Sequence, residues 1–401
     1  MALSPIAIRA RSAISCFGDT AGSHVAALKA GRSGLQPMDP ARGLGTHRAA
    51  TTEAGLSEQE QRPFALVGAA IRALGLSKRE LAESAVFAGT TTGIAASEEI
   101  AYLRDKAAGL PWRAAFHCGG PGRLSAWCTK EFGITGPAFT YTTACTSTAV
   151  GVVMAARMLR QGRIRRAVIV GLDLMMKMSL EGFRLLQLYS ETECRPFDAR
   201  RDGLNLGEAC AALVLEPGEA PVMLLDGAIH HDPGHIAAGS TDGTTAAAVM
   251  ADALARSGVR PEDVAAVKAH GTGTPTNDLT ELNALSVAFG AKPPPFSSLK
   301  STFGHTLGAS AALELVTWTW CAEAGFIPGT HGFQQKIPES ALVPQLEPTA
   351  IGNRSPAGLA PPPSGRREIE PTAIGNERSV HLFNAFGFGG TSVSFAAEVR
   401  R

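Results

Sequence analysis

The sequence predicts an α/β fold, and three observations carry that prediction. Short β-type runs alternate with helical runs from end to end, the helical runs place apolar residues at turn spacing, and 45% of the 401 residues are hydrophobic. In chain order, PIAIRARSAIS (5–15), SAVFAGTTTG (84–93), RAVIVGLDL (166–174), CAALVLE (210–216), VAAVKAHG (264–271) and PFSSLK (295–300) read as strands. Helices are predicted over roughly 146–161, 244–257 and 306–324. The last element, VHLFNAFGFGGTSVSFAAEV (380–399), reads as strand, glycine turn, strand, and so as a hairpin. A chain of this size can bury a large core and hold two domain-sized units.

One stretch departs from that alternation. EPTAIGN occurs at 347–353 and again at 370–376, on either side of the Pro/Gly/Arg-rich SPAGLAPPPSGRR. A single repeat is too short for a solenoid, and so proline-rich a stretch buries little surface. An exposed or mobile loop is expected there.

Charge excludes some partners. Lys plus Arg number 37 against 36 Asp plus Glu, so no whole-chain field draws nucleic acid or an anionic membrane. The run RQGRIRR (160–166) lacks interleaved aromatics and reads as a solvated loop. The start, MALSPIAIRARSAISCFG, has no signal-peptide pattern, and no later stretch approaches the roughly 20 apolar residues of a membrane span. A cytoplasmic location is therefore expected. The 7 cysteines are an odd number without CxxC spacing, which argues against a disulfide framework and a structural zinc site.

TYTTACTSTAVGVVMAARMLR (140–160) sets Cys145 among small hydroxyl residues just before a long apolar helix. Unpaired N–H groups and the positive dipole end at such a helix start favour thiolate. A structural thiol is the competing reading. VKAHGTGTPTND (267–278) puts His270 at the end of an apolar strand, followed by a Gly/Thr turn whose hydroxyls suit a polar chain. SLKSTFGHTLGASAALE (298–314) repeats that logic with Lys300 at a strand end and His305 leading into a helix. Strand ends in α/β folds are where sites assemble, and two imidazoles beside one thiolate would activate a carbonyl. Neither HGTGTP nor the turn FGFGG (386–390) matches a phosphate loop.

Together, TACTS around Cys145, HGTGTPTND around His270, KSTFGH spanning Lys300 and His305, and NAFGFGG around Phe388 resemble the β-ketoacyl-[acyl carrier protein] synthases of the thiolase-like fold. CRPFDARRDGLNLGEA (194–209) and AGRSG (30–34) add to the resemblance, which covers nearly the whole chain. It implies two similar βαβ-type halves stacked as α-β-α-β-α, at 1–220 with the nucleophile and at 221–401 with both histidines, the duplicated loop falling at about 347–376.

The resemblance also implies roles. Cys145 would carry the acyl group, while His270 and His305 would bind the thioester carbonyl of malonyl-carrier protein and promote loss of carbon dioxide. Lys300 would pair with Glu314 to order the histidines. Backbone N–H groups of Cys145 and Phe388 would form the oxyanion hole, with the Phe388 ring as gate. Thr272 and Thr274 fall where the family bonds the phosphopantetheine arm, and Thr92 falls in a loop that limits pocket depth. A Cys-His-His set points to the elongating synthases, because initiating synthases carry Asn where His305 stands. Thiolases would need a second cysteine near GFGG. Chain-length-factor relatives lack the nucleophile.

Departures bear on substrate. The family's GEGA becomes GEAC at 207–210, and its DAxHxT stretch is reduced to Asp232, His235 and Ala237. A threonine at 92 implies a roomier pocket, which with the short 182–198 connection points toward polyene or polyketide branches rather than housekeeping fatty-acid synthesis. No cofactor is expected on the enzyme itself, since its substrates ride on the phosphopantetheine of acyl carrier protein. That acidic partner calls for a local basic rim, for which Arg62, Arg200 and Arg201 are the candidates. The resemblance implies a dimer, either a homodimer or a pair with a chain-length-factor-like synthase. Two other activities remain open on the same residues: a non-condensing, tunnel-shaping subunit, and a thioester hydrolase or acyltransferase using Cys145.

Overall fold

The computed structural model describes residues 5–38, 48–52, 62–110, 120–232, 241–351 and 378–401. Five strands of the main sheet come from the first part of the chain: β1 (Ile6–Ile14), β2 (Ala85–Gly89), β3 (Ala138–Tyr141), β4 (Ala167–Asp173) and β5 (Ala209–Pro217). Five more follow: β6 (Val222–His231), β7 (Val264–Lys268), β8 (Phe296–Ser297), β9 (Arg378–Phe386) and β10 (Thr391–Arg400). Their spatial order is β8-β7-β9-β10-β6-β1-β5-β4-β2-β3.

Both groups of five use one pattern. Within each, the first strand pairs antiparallel with the fifth, the fifth antiparallel with the fourth, and the fourth parallel with the second, which is parallel to the third. Residues Ile6 and Ala7 of β1 join the groups by pairing antiparallel with Leu224 and Met223 of β6. β4 is buried along its whole length, as a strand covered on both faces must be, and its sequence AVIVGLD is correspondingly an unbroken apolar run up to Asp173.

Helices fill the layers: α1 (Ala21–Lys29), α2 (Arg62–Arg72), α3 (Ala95–Ala107), α4 (Arg123–Phe132), α5 (Ser147–Arg160), α6 (Lys177–Leu185), α7 (Thr244–Ser257), α8 (Pro275–Phe289) and α9 (Ser310–Glu323). α5 and α9 touch strands of both groups and are buried on nearly all sides, so they form the middle layer of one apolar core. A second core packs α2 and α4 on the outer face of the first group, and a third packs α7 and α8 on the outer face of the second. The resulting layers run α-β-α-β-α, the thiolase-like architecture.

Local chemistry accounts for several boundaries. α7 stops at Gly258, whose φ of 66° is the left-handed cap that glycine accepts without strain. α8 begins with Pro275 in its first turn, where a missing N–H costs nothing. The hairpin expected at the C-terminus is β9 and β10, joined through the glycine turn.

Two local expectations need correction. The first EPTAIGN copy is not wholly loop, because Thr349 and Ala350 pair antiparallel with Ile327 and Phe326. The second copy and the proline-rich stretch lie outside the described residues. RQGRIRR is not simply solvated either: Arg160 bonds Asp226 at 3.2 Å and Arg166 bonds Glu216 at 2.8 Å, each arginine being mostly covered. Among the described residues no helix is long and apolar enough to cross a membrane.

Candidate active site

Cys145 occupies a single 3-10 turn, Ala144–Thr146, that leads into α5. The hydroxyls flanking it build that turn: Ser147 Oγ accepts the Thr143 N–H at 3.0 Å, and Thr146 Oγ1 donates to the Thr143 carbonyl at 2.6 Å. Ala144 is held at φ 51°, a left-handed conformation that costs a non-glycine residue about 1–2 kcal/mol. Leu307, two residues after His305, is held likewise at φ 47°. Strain therefore sits beside both the sulfur and one imidazole.

His305 Nε2 lies 3.0 Å from Cys145 Sγ. Its other nitrogen settles the tautomer: the Leu307 backbone N–H, which can only donate, reaches Nδ1 at 3.2 Å, and Ser310 Oγ stands 3.1 Å from it. Nδ1 is therefore the acceptor, and the proton resides on Nε2, directed at the sulfur. The His270 ring meets His305 edge to face with centroids 5.6 Å apart. Ligand-type atoms of Cys145, His270 and His305 all lie within 4.8 Å of one another. The three line a cavity of about 480 Å³ together with Thr272, Thr274 and Phe388.

The thiol is buried on the cavity wall. Burial pushes Cys145 up to about 11, against the opposing pull of the Lys300 ammonium and the Phe388 backbone N–H. The thiolate expected from the helix start is thus not the resting state. A helix terminus supplies about 0.3–1 kcal/mol, whereas each tenfold change in proton affinity amounts to about 1.4 kcal/mol, so desolvation wins. Burial, then Lys300, holds both imidazoles well below the usual histidine range, which leaves them neutral near pH 7. Backbone N–H groups of Phe388 and Cys145 both act on the sulfur. The Phe388 ring packs on Phe183 at 5.7 Å across the cavity.

Lys300 Nζ donates to Glu314 Oε1 at 2.8 Å. A second lysine, Lys268, donates to the other oxygen of the same carboxylate. Sequence reading passed over Lys268, although a lysine closing an apolar strand two residues before His270 was the available signal. Asp173 was also missed. Fully buried at the end of β4, it accepts the N–H groups of Thr91, Thr92 and Gly308 at 2.8, 3.0 and 2.7 Å and the Thr90 hydroxyl at 3.0 Å. One carboxylate so clamps the loop after β2 to the segment that follows His305.

Thr272 and Thr274 join each other through their hydroxyls at 2.8 Å on the cavity wall. Thr92 behaves differently from expectation: its hydroxyl turns to Asp173 at 2.8 Å, and it is absent from the cavity lining. Arg62 also departs from its expected place on a basic rim. It is 6% exposed and grips the buried Glu208 of GEAC at 2.6 and 3.0 Å, an internal ion pair. Arg200 is exposed beside Asp198 and Gln334, and Arg201 donates to the carbonyl of Pro275 at 2.9 Å, at the cavity edge. Asp232 is described at the end of β6, whereas His235 and Ala237 lie outside the described residues.

Comparison with known proteins agrees with this geometry. Residues 56–220 match the family model for the β-ketoacyl synthase N-terminal domain, and residues 223–334 match that for its C-terminal domain. The chain belongs to the β-ketoacyl synthase family. Over 218 residues it is 35% identical to erythronolide synthase EryA2 of Saccharopolyspora erythraea, covering 51% of this chain and 6% of that protein. Over 233 residues it is 31% identical to nodulation protein E of Rhizobium meliloti, covering 55% of this chain and 58% of that protein. The matches thus span less than two thirds of either relative's length. Among solved structures, the ishigamide ketosynthase/chain length factor superposes with a TM-score of 0.83 at 25% identity, covering 100% of both chains. The ketosynthase ApeO in complex with its chain length factor ApeC from Xenorhabdus doucetiae gives 0.80 at 26% identity, covering 99% of this chain and 98% of that one.

Proposed function

We propose that this chain is a β-ketoacyl-[acyl carrier protein] synthase of the elongating type, and that Cys145, His270 and His305 perform a decarboxylative condensation. The observation that carries the reading is the 3.0 Å contact between His305 Nε2 and Cys145 Sγ, with His270 alongside. In the loading step Cys145 Sγ attacks the thioester carbonyl of an acyl carrier protein, and its proton leaves with the departing carrier thiol. The malonyl thioester then enters past Thr272 and Thr274. Neutral imidazoles donate N–H groups to its carbonyl oxygen, so the electron pair that carbon dioxide leaves behind on the α-carbon is held as an enolate. That enolate attacks the acyl carbonyl on Cys145, whose oxygen is received by the N–H groups of Cys145 and Phe388. Collapse expels the sulfur, which takes up a proton from solvent, and releases the 3-oxoacyl carrier protein. Lys300 and Glu314 order the histidines without touching substrate.

A tunnel-shaping subunit has no use for this trio, which favours the active partner. Support for a paired assembly comes from the surface. Met178 (65% exposed), Leu185 (84%) and Leu186 (60%) lie on or just after α6. α3 brings up Tyr102 and Leu103, because Glu99 on α3 accepts the N–H groups of Lys177 and Met178 at 2.7 and 2.9 Å. Leu186 also lines the cavity. A second synthase-fold chain covering this surface would help wall the pocket, as in a ketosynthase/chain-length-factor pair acting in polyene or polyketide synthesis. Acyl carrier protein is the delivering partner, with Arg200 and Arg201 at the mouth as its contacts.

Intact-mass measurement after incubation with acyl carrier proteins tests the chemistry. The expected result is one acyl group on Cys145, lost in C145A, followed by release of labelled carbon dioxide from carboxyl-labelled malonyl carrier protein. Acylation without carbon dioxide release would point to a hydrolase or acyltransferase, and no acylation would point to a structural subunit. Extension of saturated acyl chains alone would remove the polyene assignment.

A further inference from the structure

Lys268 is the last residue of β7 and is 1% exposed. Its Nζ donates to Glu314 and, at 2.6 Å, to the carbonyl of Asn384. Lys300 takes the other Glu314 oxygen at 2.8 Å, so one carboxylate stands between two ammonium groups. Asn384 belongs to β9, the strand that runs into the turn bearing Phe388, and its Nδ2 donates to Glu281 at 3.1 Å. Glu281 in turn accepts the backbone N–H groups of His270 and Gly271 at 2.8 and 2.7 Å. Lys268 thus ties together the segments that present His270, His305 and Phe388. A neutral side chain of similar length would fill the same space without the desolvation cost of a second buried charge, so packing alone does not account for a lysine here.

We propose that Lys268 is a positioning residue for the condensation: through Glu314 and the Asn384 carbonyl it locks together the segments that present His270, His305 and Phe388, and so holds the imidazole N–H groups toward the substrate carbonyl. The proposal rests on reading the cavity as a decarboxylating site. The groups that face these imidazoles set the sign. His305 touches Cys145 and His270 and feels the charges of Lys300 and Lys268, while His270 touches His305, has the Glu281 carboxylate on its backbone N–H and feels the same two lysines. Burial lowers Lys268 itself, against the pull of Glu314 and Glu281, and the Asp173 carboxylate raises Cys145. Burial lowers both imidazoles first, and the two ammonium groups lower them further. Removing one ammonium leaves the other contributions in place, so the imidazoles then protonate at higher pH.

The test compares full-length wild type with K268Q, K268M and K268R, each checked for folding by circular dichroism. Histidine-labelled protein reports the titration of His270 and His305 by NMR, independently of any turnover. In K268Q both titrations are expected to move to higher pH. The acid limb of malonyl decarboxylation should move with them, with kcat falling most, about tenfold, on that limb and KM unchanged within about twofold. K268R restores the wild-type limb. A folded K268Q with unmoved titrations and an unmoved limb overturns the proposal, and a uniform loss of kcat at every pH reduces Lys268 to a packing role. Should wild type release no carbon dioxide, the reading of the site fails, and the titrations still decide whether Lys268 sets the charge of the imidazoles.

Discussion

Replacing Gly308 with alanine tests whether the distance between Cys145 and His305 is set by the clamp at Asp173. Gly308 follows His305 by three residues; its N–H donates to Asp173 at 2.7 Å, and its carbonyl accepts the Thr148 hydroxyl at 2.6 Å. A β-carbon at this position would lie 2.7 Å from both the carbonyl carbon of Thr90 and the backbone nitrogen of Thr91. Ordinary carbon contacts begin near ~3.5 Å, so the two segments must separate by about 0.8 Å. Both are backbone and cannot swing aside, and the His305 segment takes up the displacement. A misplacement of about 1 Å can cost about 100-fold in rate, and overpacking costs roughly 1–3 kcal/mol of stability. The expected outcome for G308A is a fall in kcat of about 10- to 100-fold in carbon dioxide release from labelled malonyl carrier protein, with a lowered thermal midpoint. Gly22 in α1, where an added β-carbon meets nothing within 4 Å, serves as the control, and G22A should keep full activity. Wild-type kcat and an unchanged midpoint in G308A would refute the reasoning, since the clamp would then not be setting the reactive distance.

Other expectations follow from the same geometry. Because burial pushes the Cys145 thiol up to about 11, its alkylation by iodoacetamide should keep accelerating through pH 9 and 10, and a plateau near the ordinary thiol value of about 8.5 would contradict the burial argument. R62M removes the guanidinium that pairs with the buried Glu208, which keeps the N–H groups of Thr52 and Met175, and should destabilise the fold by about 3–5 kcal/mol in denaturant titration; a loss under about 1 kcal/mol would refute a stabilising role for the pair. T272V and T274V each remove a cavity hydroxyl worth about 0.5–1.5 kcal/mol, so KM for malonyl carrier protein should rise about 2- to 10-fold with kcat preserved, whereas a fall in kcat alone would place these hydroxyls at the reacting atoms.

Much of the local framework was legible before any coordinates. The helix predicted over 244–257 has those bounds in the structure, and the strand-turn-strand reading of 380–399 matches β9 and β10. Apolar periodicity, glycine caps and proline at a first turn act over a few residues, so the chain carries that information where it is used. The residue types that meet at the site were readable for a related reason. A cysteine among hydroxyls ahead of an apolar helix, and histidines at two strand ends, each have a chemistry that their near neighbours advertise.

What those groups do to one another depends on atoms distant in sequence. Cys145 and His305 are 160 positions apart, and no local pattern encodes the 3.0 Å between them. Position in the chain could not tell whether Arg62 faces solvent or Glu208, nor whether Thr92 faces the pocket or Asp173; the packing of α2 and the clamp at the end of β4 decided both. The protonation of the site is the clearest case. A helix start argues locally for thiolate, but the surrounding layers remove water from the sulfur, and desolvation is the larger energy. Sequence therefore determined which functional groups this protein brings to the site, and tertiary structure decided their distances and their charge. Bonding propensity belongs to the residue, whereas dielectric environment belongs to everything packed around it.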